Sequence, residues 1–150
     1  MSLLRVLFLI LLSSPLFAQN AELANSFFRK GEYEKAIMLY EPLLESNPIR
    51  QDYFKSLLTC YQQLENYEEA DRLLNQQLEN FPNQIYLYVE LGYNRQLQGK
   101  PAEAEAYYER SMQFIEQNPS YASVSYTHLR AHETLGSISY AVFCLKSGGG

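Results

Sequence analysis

The sequence predicts an all-α protein, built as a solenoid of three antiparallel helix pairs. Three observations lead there. Landmarks recur every 34 residues: Ala36, Ala70 and Ala104; Leu23, Leu57 and Leu91; Leu44, Leu78 and Met112; Tyr40, Leu74 and Tyr108; Pro48 and Pro82. Self-similarity at such a period is the mark of a repeat architecture. Within each period, apolar residues return three or four apart, which is the spacing of one helix face. Phe54, Leu57, Leu58 and Tyr61 form one stripe, and Ala70, Leu73, Leu74 and Leu78 form the next. Breaking residues fall between stripes, at Lys30-Gly31, Glu65-Asn66 and Gly99-Lys100, and again at Asn47-Pro48 and Phe81-Pro82.

Residues 1–18 precede the first period and have their own logic. Met1 to Arg5 is a short basic start, Val6 to Leu12 is an unbroken apolar run, and Ser13-Ser14-Pro15 leads into Leu16, Phe17 and Ala18. That order matches a secretory signal peptide cleaved after Ala18. The apolar run is well short of the roughly 20 residues that span a bilayer. No Cys stands at the cleavage point to accept lipid. The expected product begins near Gln19, is not inserted in the membrane after cleavage, and works in the periplasm or outside the cell.

From there the helices are expected at about 20–30 and 33–46, 51–64 and 67–80, then 85–98 and 101–117. The three repeats therefore cover about 17–50, 51–84 and 85–118, the first overlapping the cleavage region. Proline suits the corners because it cannot continue the preceding helix. Pro101 opens its helix, where a missing N–H is not needed. Pro42, in contrast, falls inside a second helix, removes a bond to Met38 and is expected to kink that turn. Small residues at Ala24, Gly92, Ala36, Ala70 and Ala104 allow close backbone approach, while Leu23, Phe27, Tyr40 and Leu44 fill the surrounding space. One such pair cannot bury both its apolar faces, so the pairs must stack.

The conjunction of Leu23, Ala24, Gly31, Tyr33, Ala36, Tyr40 and Pro48 resembles a tetratricopeptide repeat (TPR). The second copy matches through Leu57, Tyr61, Tyr67, Ala70, Leu74 and Pro82, and the third through Leu91, Gly92, Gly99, Ala104 and Tyr108. The likeness spans about residues 19–118 and implies a right-handed superhelix. Leu58 fills a place that is usually small, Arg95 one that is usually aromatic, and Glu116 one where a proline would keep the period.

The resemblance implies a non-catalytic scaffold that binds a partner peptide or helix in a concave groove lined by the first helices. The stripe phases place Asn25, Phe28 and Arg29, then Lys55, Thr59 and Gln62, then Tyr86, Val89, Tyr93 and Gln96 on that outward side, with Asp52 and Gln63 beside them. The family's carboxylate-holding arrangement is not reproduced. Its matching places hold Ala21, Asn25, Ser56, Tyr86 and Glu90; only Asn25 fits, and Glu90 would repel a carboxylate.

Composition points the same way. A net charge of −5 argues against a general nucleic-acid binder, which needs clustered Lys and Arg. Residues 19–120 carry sixteen acidic and nine basic side chains, with Glu32/Glu34, Glu68/Glu69 and Glu103/Glu105 at the same turn of each repeat. The helix macrodipole favours acids there; a basic partner along that edge is the alternative. Two cysteines are too few for a disulfide-built scaffold, and Cys60, beside Tyr61, is expected as a buried thiol. No cofactor or metal is expected.

Residues 119–150 leave the pattern. From about Val124 the run Val-Ser-Tyr-Thr-His-Leu-Arg-Ala-His-Glu-Thr resembles a non-native segment that recurs at the ends of unrelated truncated reading frames. His128 and His132 have a helical ligand spacing but no third ligand. The chain is then expected to be the amino-terminal part of a longer repeat protein. The last helix is expected to offer an apolar face for self-association. The alternative function is the recruiting segment of a longer sensor, envelope-assembly protein or enzyme whose effector domain is missing.

Overall fold

A computed structural model describes residues 19–117. The expected leader, the tail from about Val124, His128, His132 and Cys144 all lie outside the described residues. Those residues form six helices and no strand. The first, α1, covers 19–29. It is followed by α2 (Tyr33–Ser46), α3 (Gln51–Gln63), α4 (Tyr67–Asn80), α5 (Ile85–Leu97) and α6 (Pro101–Gln117). Expected and observed ends of α2, α4 and α6 coincide, and those of α3 and α5 differ by one residue at the carboxyl end. No described helix is long and apolar enough to cross a membrane. The chain divides into two compact units, Met1–Ala70 and Asp71–Gly150.

The 34-residue period is written into the backbone hydrogen bonds. Where α1 ends, Glu32 N–H donates to the Phe27 carbonyl (3.0 Å) and Gly31 N–H to that of Phe28 (3.0 Å). Where α3 ends, Asn66 N–H donates to Tyr61 (2.8 Å) and Glu65 N–H to Gln62 (3.1 Å). Where α5 ends, Lys100 N–H donates to Arg95 (3.0 Å) and Gly99 N–H to Gln96 (2.9 Å). This pairing is a Schellman cap, and it needs one residue in left-handed backbone. That residue is Gly31 (φ 73°), Glu65 (φ 56°) and Gly99 (φ 72°) in turn. Glycine takes the conformation freely; Glu65 carries a Cβ and is strained there by roughly 1–2 kcal/mol.

The other two corners also repeat. Asn47 N–H reaches Leu43 (3.2 Å) and Arg50 N–H reaches Asn47 (3.1 Å); 34 residues on, Phe81 N–H reaches Gln77 (2.8 Å) and Gln84 N–H reaches Phe81 (3.1 Å). Pro48 and Pro82 occupy the place between, where no N–H is called for.

In the first unit, α2 and α3 pack on each other. Their buried residues are Ala36, Tyr40, Leu43 and Leu44 from α2 and Phe54, Leu57, Leu58, Cys60 and Tyr61 from α3. Tyr40 is fully buried and donates its hydroxyl to Asn25 Oδ1 at 2.7 Å. Tyr61 donates to Glu41 Oε1 at 2.5 Å. Helix α2 runs unbroken through Pro42. Met38, which loses its amide partner to Pro42, lies on the exposed side of α2, where water can take that carbonyl's hydrogen bond. One expectation fails in this unit. Leu23 does not fill the core but is 44% exposed, whereas Leu57 and Leu91, its equivalents, are 2% and 1% exposed.

In the second unit α5 and α6 meet over Gly92. A Cβ built on Gly92 would lie 2.4 Å from Tyr108 Cε1, so the absent side chain is what lets the ring lie against α5. The equivalent pairs are Ala24 with Tyr40 and Leu58 with Leu74, all buried. In the sequence, a small first-helix residue thus accompanies tyrosine, and a leucine accompanies leucine. Arg95, at the place usually aromatic, has its guanidinium 3.0 Å from Asp71 and 3.4 Å from Glu103. Asn94, fully buried, donates Nδ2 to Asp71 Oδ1 at 2.8 Å.

Candidate partner-binding faces

Each first helix contributes an outward side, and the structure sorts the expected residues into three kinds. Arg29, Lys55 and Gln63 are exposed, as expected of groups offered to a partner. Others are outward but engaged. Asn25 is exposed while its Oδ1 accepts from Tyr40, which leaves its N–H₂ donors facing outward. Asp52 is exposed and held by Arg50 through two bonds of 2.8 and 2.6 Å; that guanidinium keeps its carboxyl below the usual range. Thr59 donates to the Lys55 carbonyl at 2.8 Å, the usual way for a helical threonine to satisfy its hydroxyl. Gln96 accepts from Tyr108 at 3.2 Å. Phe28 is half-buried and packs edge-on against Tyr33 (6.0 Å) and Tyr40 (6.4 Å). It belongs as much to the fold as to the surface. Gln62, Tyr86 and Tyr93 are half-buried.

Val89 is the exception and is not a surface residue. It is 4% exposed and clusters with Ala104 and Tyr108. The close approach over Gly92 brings the Tyr108 ring down onto α5, and the ring covers Val89 as well. Lys55, in the same register one period earlier, stays exposed. Leu97 is the residue that sequence reasoning missed. It is 37% exposed on α5, in the register of Arg29 and Gln63. That register was the available signal.

The helix starts carry their acids as expected: Glu34 on α2, Glu68 and Glu69 on α4, and Glu103 on α6. Glu32 pairs with Lys35, which holds its carboxyl below the ordinary value. Among the described residues no group of three or more His, Cys, Asp or Glu is placed to hold a metal ion. Cys60 is buried and unbridged, and burial pushes its thiol up to about 11. On α6, where an apolar face is expected, Tyr107, Met112, Phe114 and Ile115 are half-buried.

The six helices of the described residues have a helical-repeat fold of the TPR-like type. Solved structures share it. The chain matches MamA MSR-1 C2 with a TM-score of 0.56 at 19% identity, covering 67% of this chain and 58% of that one. It therefore spans less than two-thirds of MamA. It matches the Yersinia enterocolitica type III secretion translocator chaperone SycD (alternative dimer) with a TM-score of 0.58 at 20% identity, covering 85% of this chain and 97% of that one. Both neighbours are TPR-type helical-repeat proteins. No protein-family profile matches the sequence, and no curated protein matches it.

Proposed function

We propose that this chain is a non-catalytic protein-interaction scaffold, exported across the inner membrane, that binds a partner peptide or helix on the outward faces of its first helices. The observation that carries the reading is the combination of a repeated, filled core with first-helix faces that keep Arg29, Lys55 and Gln63 exposed and Asn25 with donors to spare. In the first unit those groups can hold an extended main chain through donors to its carbonyls; in the second unit, taken by itself, Tyr86, Tyr93 and Leu97 offer apolar area to side chains. SycD, a fold neighbour, is a translocator chaperone, and holding another protein is what a chaperone does. Export rests on the order of residues 1–18 in the sequence.

Peptides selected from a random library against the protein, then titrated calorimetrically, test the binding role. Arg29→Ala, Lys55→Ala and Tyr93→Ala should each weaken a selected peptide by about 1–2 kcal/mol, as truncation of contact residues does. Peptides indifferent to all three, yet lost on altering second-helix residues such as Glu45 or Glu79, would overturn it. Fractionation of cells making the tagged full chain tests export, with the processed product expected in the periplasm. The alternative, a recruiting segment of a longer sensor, envelope-assembly protein or enzyme, shares the same binding faces and differs only in the effector domain attached to them.

A further inference from the structure

Two buried tyrosines each hold the oxygen of an exposed first-helix amide. In the first unit Tyr40, on α2, donates its hydroxyl to Asn25 Oδ1 of α1 at 2.7 Å. In the second unit Tyr108, at the same place of the period, donates from α6 to Gln96 Oε1 of α5 at 3.2 Å. Both rings are buried, and Asn25 and Gln96 are both exposed. The direction of each bond follows from burial. A buried phenol must place its O–H on an acceptor, and of the two ends of an amide only the oxygen accepts. Tyr40 has a second reason. Burial raises its phenol above the ordinary value, and a hydrogen bond from Ser56 opposes that rise. A bond that favours the phenolate is one that the oxygen accepts, so the Tyr40 proton is left for Asn25.

Register alone does not turn an amide outward. Gln62 stands at the place of Gln96 one period earlier, where the sequence puts Leu74 at the tyrosine's place. Its Nε2 is buried and without a hydrogen-bond partner among the described residues. The rest of the first unit's face has the same polarity as Asn25. The acceptors Asn25 Oδ1 and Asp52 are held by Tyr40 and Arg50, while Asn25 Nδ2, Arg29 and Lys55 present donors.

We infer that Tyr40 and Tyr108 are positioning residues of the partner site: each ties a first-helix amide with its N–H₂ outward, so that Asn25 and Gln96 read carbonyl oxygens of a partner's main chain and leave its N–H groups without an acceptor. The inference deepens the partner-binding reading and rests on it. An untied asparagine or glutamine turns about a broad terminal torsion and offers oxygen or N–H₂ as the ligand requires. A tied one offers a single polarity. Because an extended segment carries both carbonyl and N–H groups along its edge, a face of donors alone fixes which of them it engages.

The first measurement needs no partner. Side-chain amide order in the isotope-labelled full chain is followed by NMR relaxation, with exposed Gln63 as the reference. The N–H₂ groups of Asn25 and Gln96 should have order parameters above about 0.6, the bound for flexible groups, and Gln63 should fall below it. Tyr40→Phe should release Asn25 alone, and Tyr108→Phe should release Gln96 alone, with helix content unchanged by circular dichroism. The second measurement is calorimetric titration of a peptide selected from a library of uncharged residues with blocked ends. Tyr40→Phe should weaken it about three- to tenfold, the size of one hydrogen bond. Asn25→Asp keeps an acceptor for Tyr40 and puts a carboxylate oxygen where the donors stood. It should weaken the peptide by about tenfold or more, and by more than Asn25→Ala does. Gln96→Glu is the matching variant in the second unit. An Asn25 amide as mobile in the parent as in Tyr40→Phe would overturn the positioning role. A peptide weakened by Arg29→Ala and Lys55→Ala but indifferent to Asn25→Asp would overturn the carbonyl reading alone. A peptide indifferent to all of these and to Tyr93→Ala would overturn the partner-binding reading beneath it.

Discussion

The Tyr108 ring lies over Gly92 so closely that a methyl group on Gly92 would sit within 3 Å of three ring atoms, Cε1, Cδ1 and Cζ. These are not the loose end of a mobile side chain. The ring is buried and its hydroxyl is tied to Gln96 at 3.2 Å. The α5–α6 corner is therefore set by the volume of two positions taken together, and several consequences can be measured.

Gly92→Ala should destabilise the protein by about 1–3 kcal/mol, the usual cost of forcing extra carbon into a packed site. Thermal denaturation followed by circular dichroism would show it. At the equivalent places of the second period the sequence has Leu58 and Leu74. The pair Gly92→Leu with Tyr108→Leu should accordingly be less damaging than Gly92→Leu alone, a non-additivity that a double-mutant cycle isolates.

Asp71 is the partner that lets Arg95 occupy a place usually given to an aromatic residue. Their side chains are 15% and 20% exposed, and Asp71 also accepts from buried Asn94. Asp71→Ala should cost about 2 kcal/mol, because it removes the acceptor shared by a part-buried guanidinium and a buried amide. Replacing both partners by the first period's residues, Arg95→Phe with Asp71→Ile, should recover most of that loss, since a part-buried ion pair is often no better than a packed apolar pair. Urea denaturation of the single and double variants checks both statements.

Glu65 holds the left-handed backbone that Gly31 and Gly99 hold in the other two caps. Its substitution Glu65→Gly removes the strain while adding freedom to the unfolded chain. The net effect should be stabilising by about 0.5–1 kcal/mol. A lower urea midpoint for the variant would contradict the cap assignment.

Burial raises the Cys60 thiol to about 11 and the Tyr108 phenol to about 12. Both groups are neutral in the folded chain at neutral pH. Because each folded value lies above its ordinary one, the associated stability is whole below about pH 9 and is lost as pH climbs toward 11 for Cys60 and from 10 toward 12 for Tyr108. Urea midpoints should therefore be flat between pH 7 and 8 and fall above pH 9. At pH 8, Cys60 should react with a disulfide reagent only when the protein opens. Prompt reaction in the folded state would mean that the thiol is not buried.

The fold was legible because its signals repeat. Five registers at one spacing place all six helices, with the described boundaries of α2 to α6 agreeing to a residue, and the glycines at 31 and 99 mark two of the three caps. Glu65 hid the third, since its left-handed backbone is dictated by the Asn66–Tyr61 bond and not by its own preference. The surface was less legible. Tyr86, Val89 and Tyr93 are spaced as one helical stripe, but α5 is buried over a wider arc than a stripe. Only the three-dimensional meeting of Gly92 and Tyr108 shows that Val89 goes under the ring. Leu23 fails for the opposite reason. Its register is that of a core residue, and burial depends on a neighbour that the described repeats do not supply.

The central claim is that the first helices, not the second, carry the partner. Amide chemical shifts of the labelled protein, recorded while a selected peptide is added, test it most directly. The account predicts that the perturbed amides centre on Asn25, Arg29, Lys55, Thr59, Tyr93 and Leu97. Perturbations confined to the outer sides of the second helices, around Glu45, Glu79 and Glu109, would contradict it.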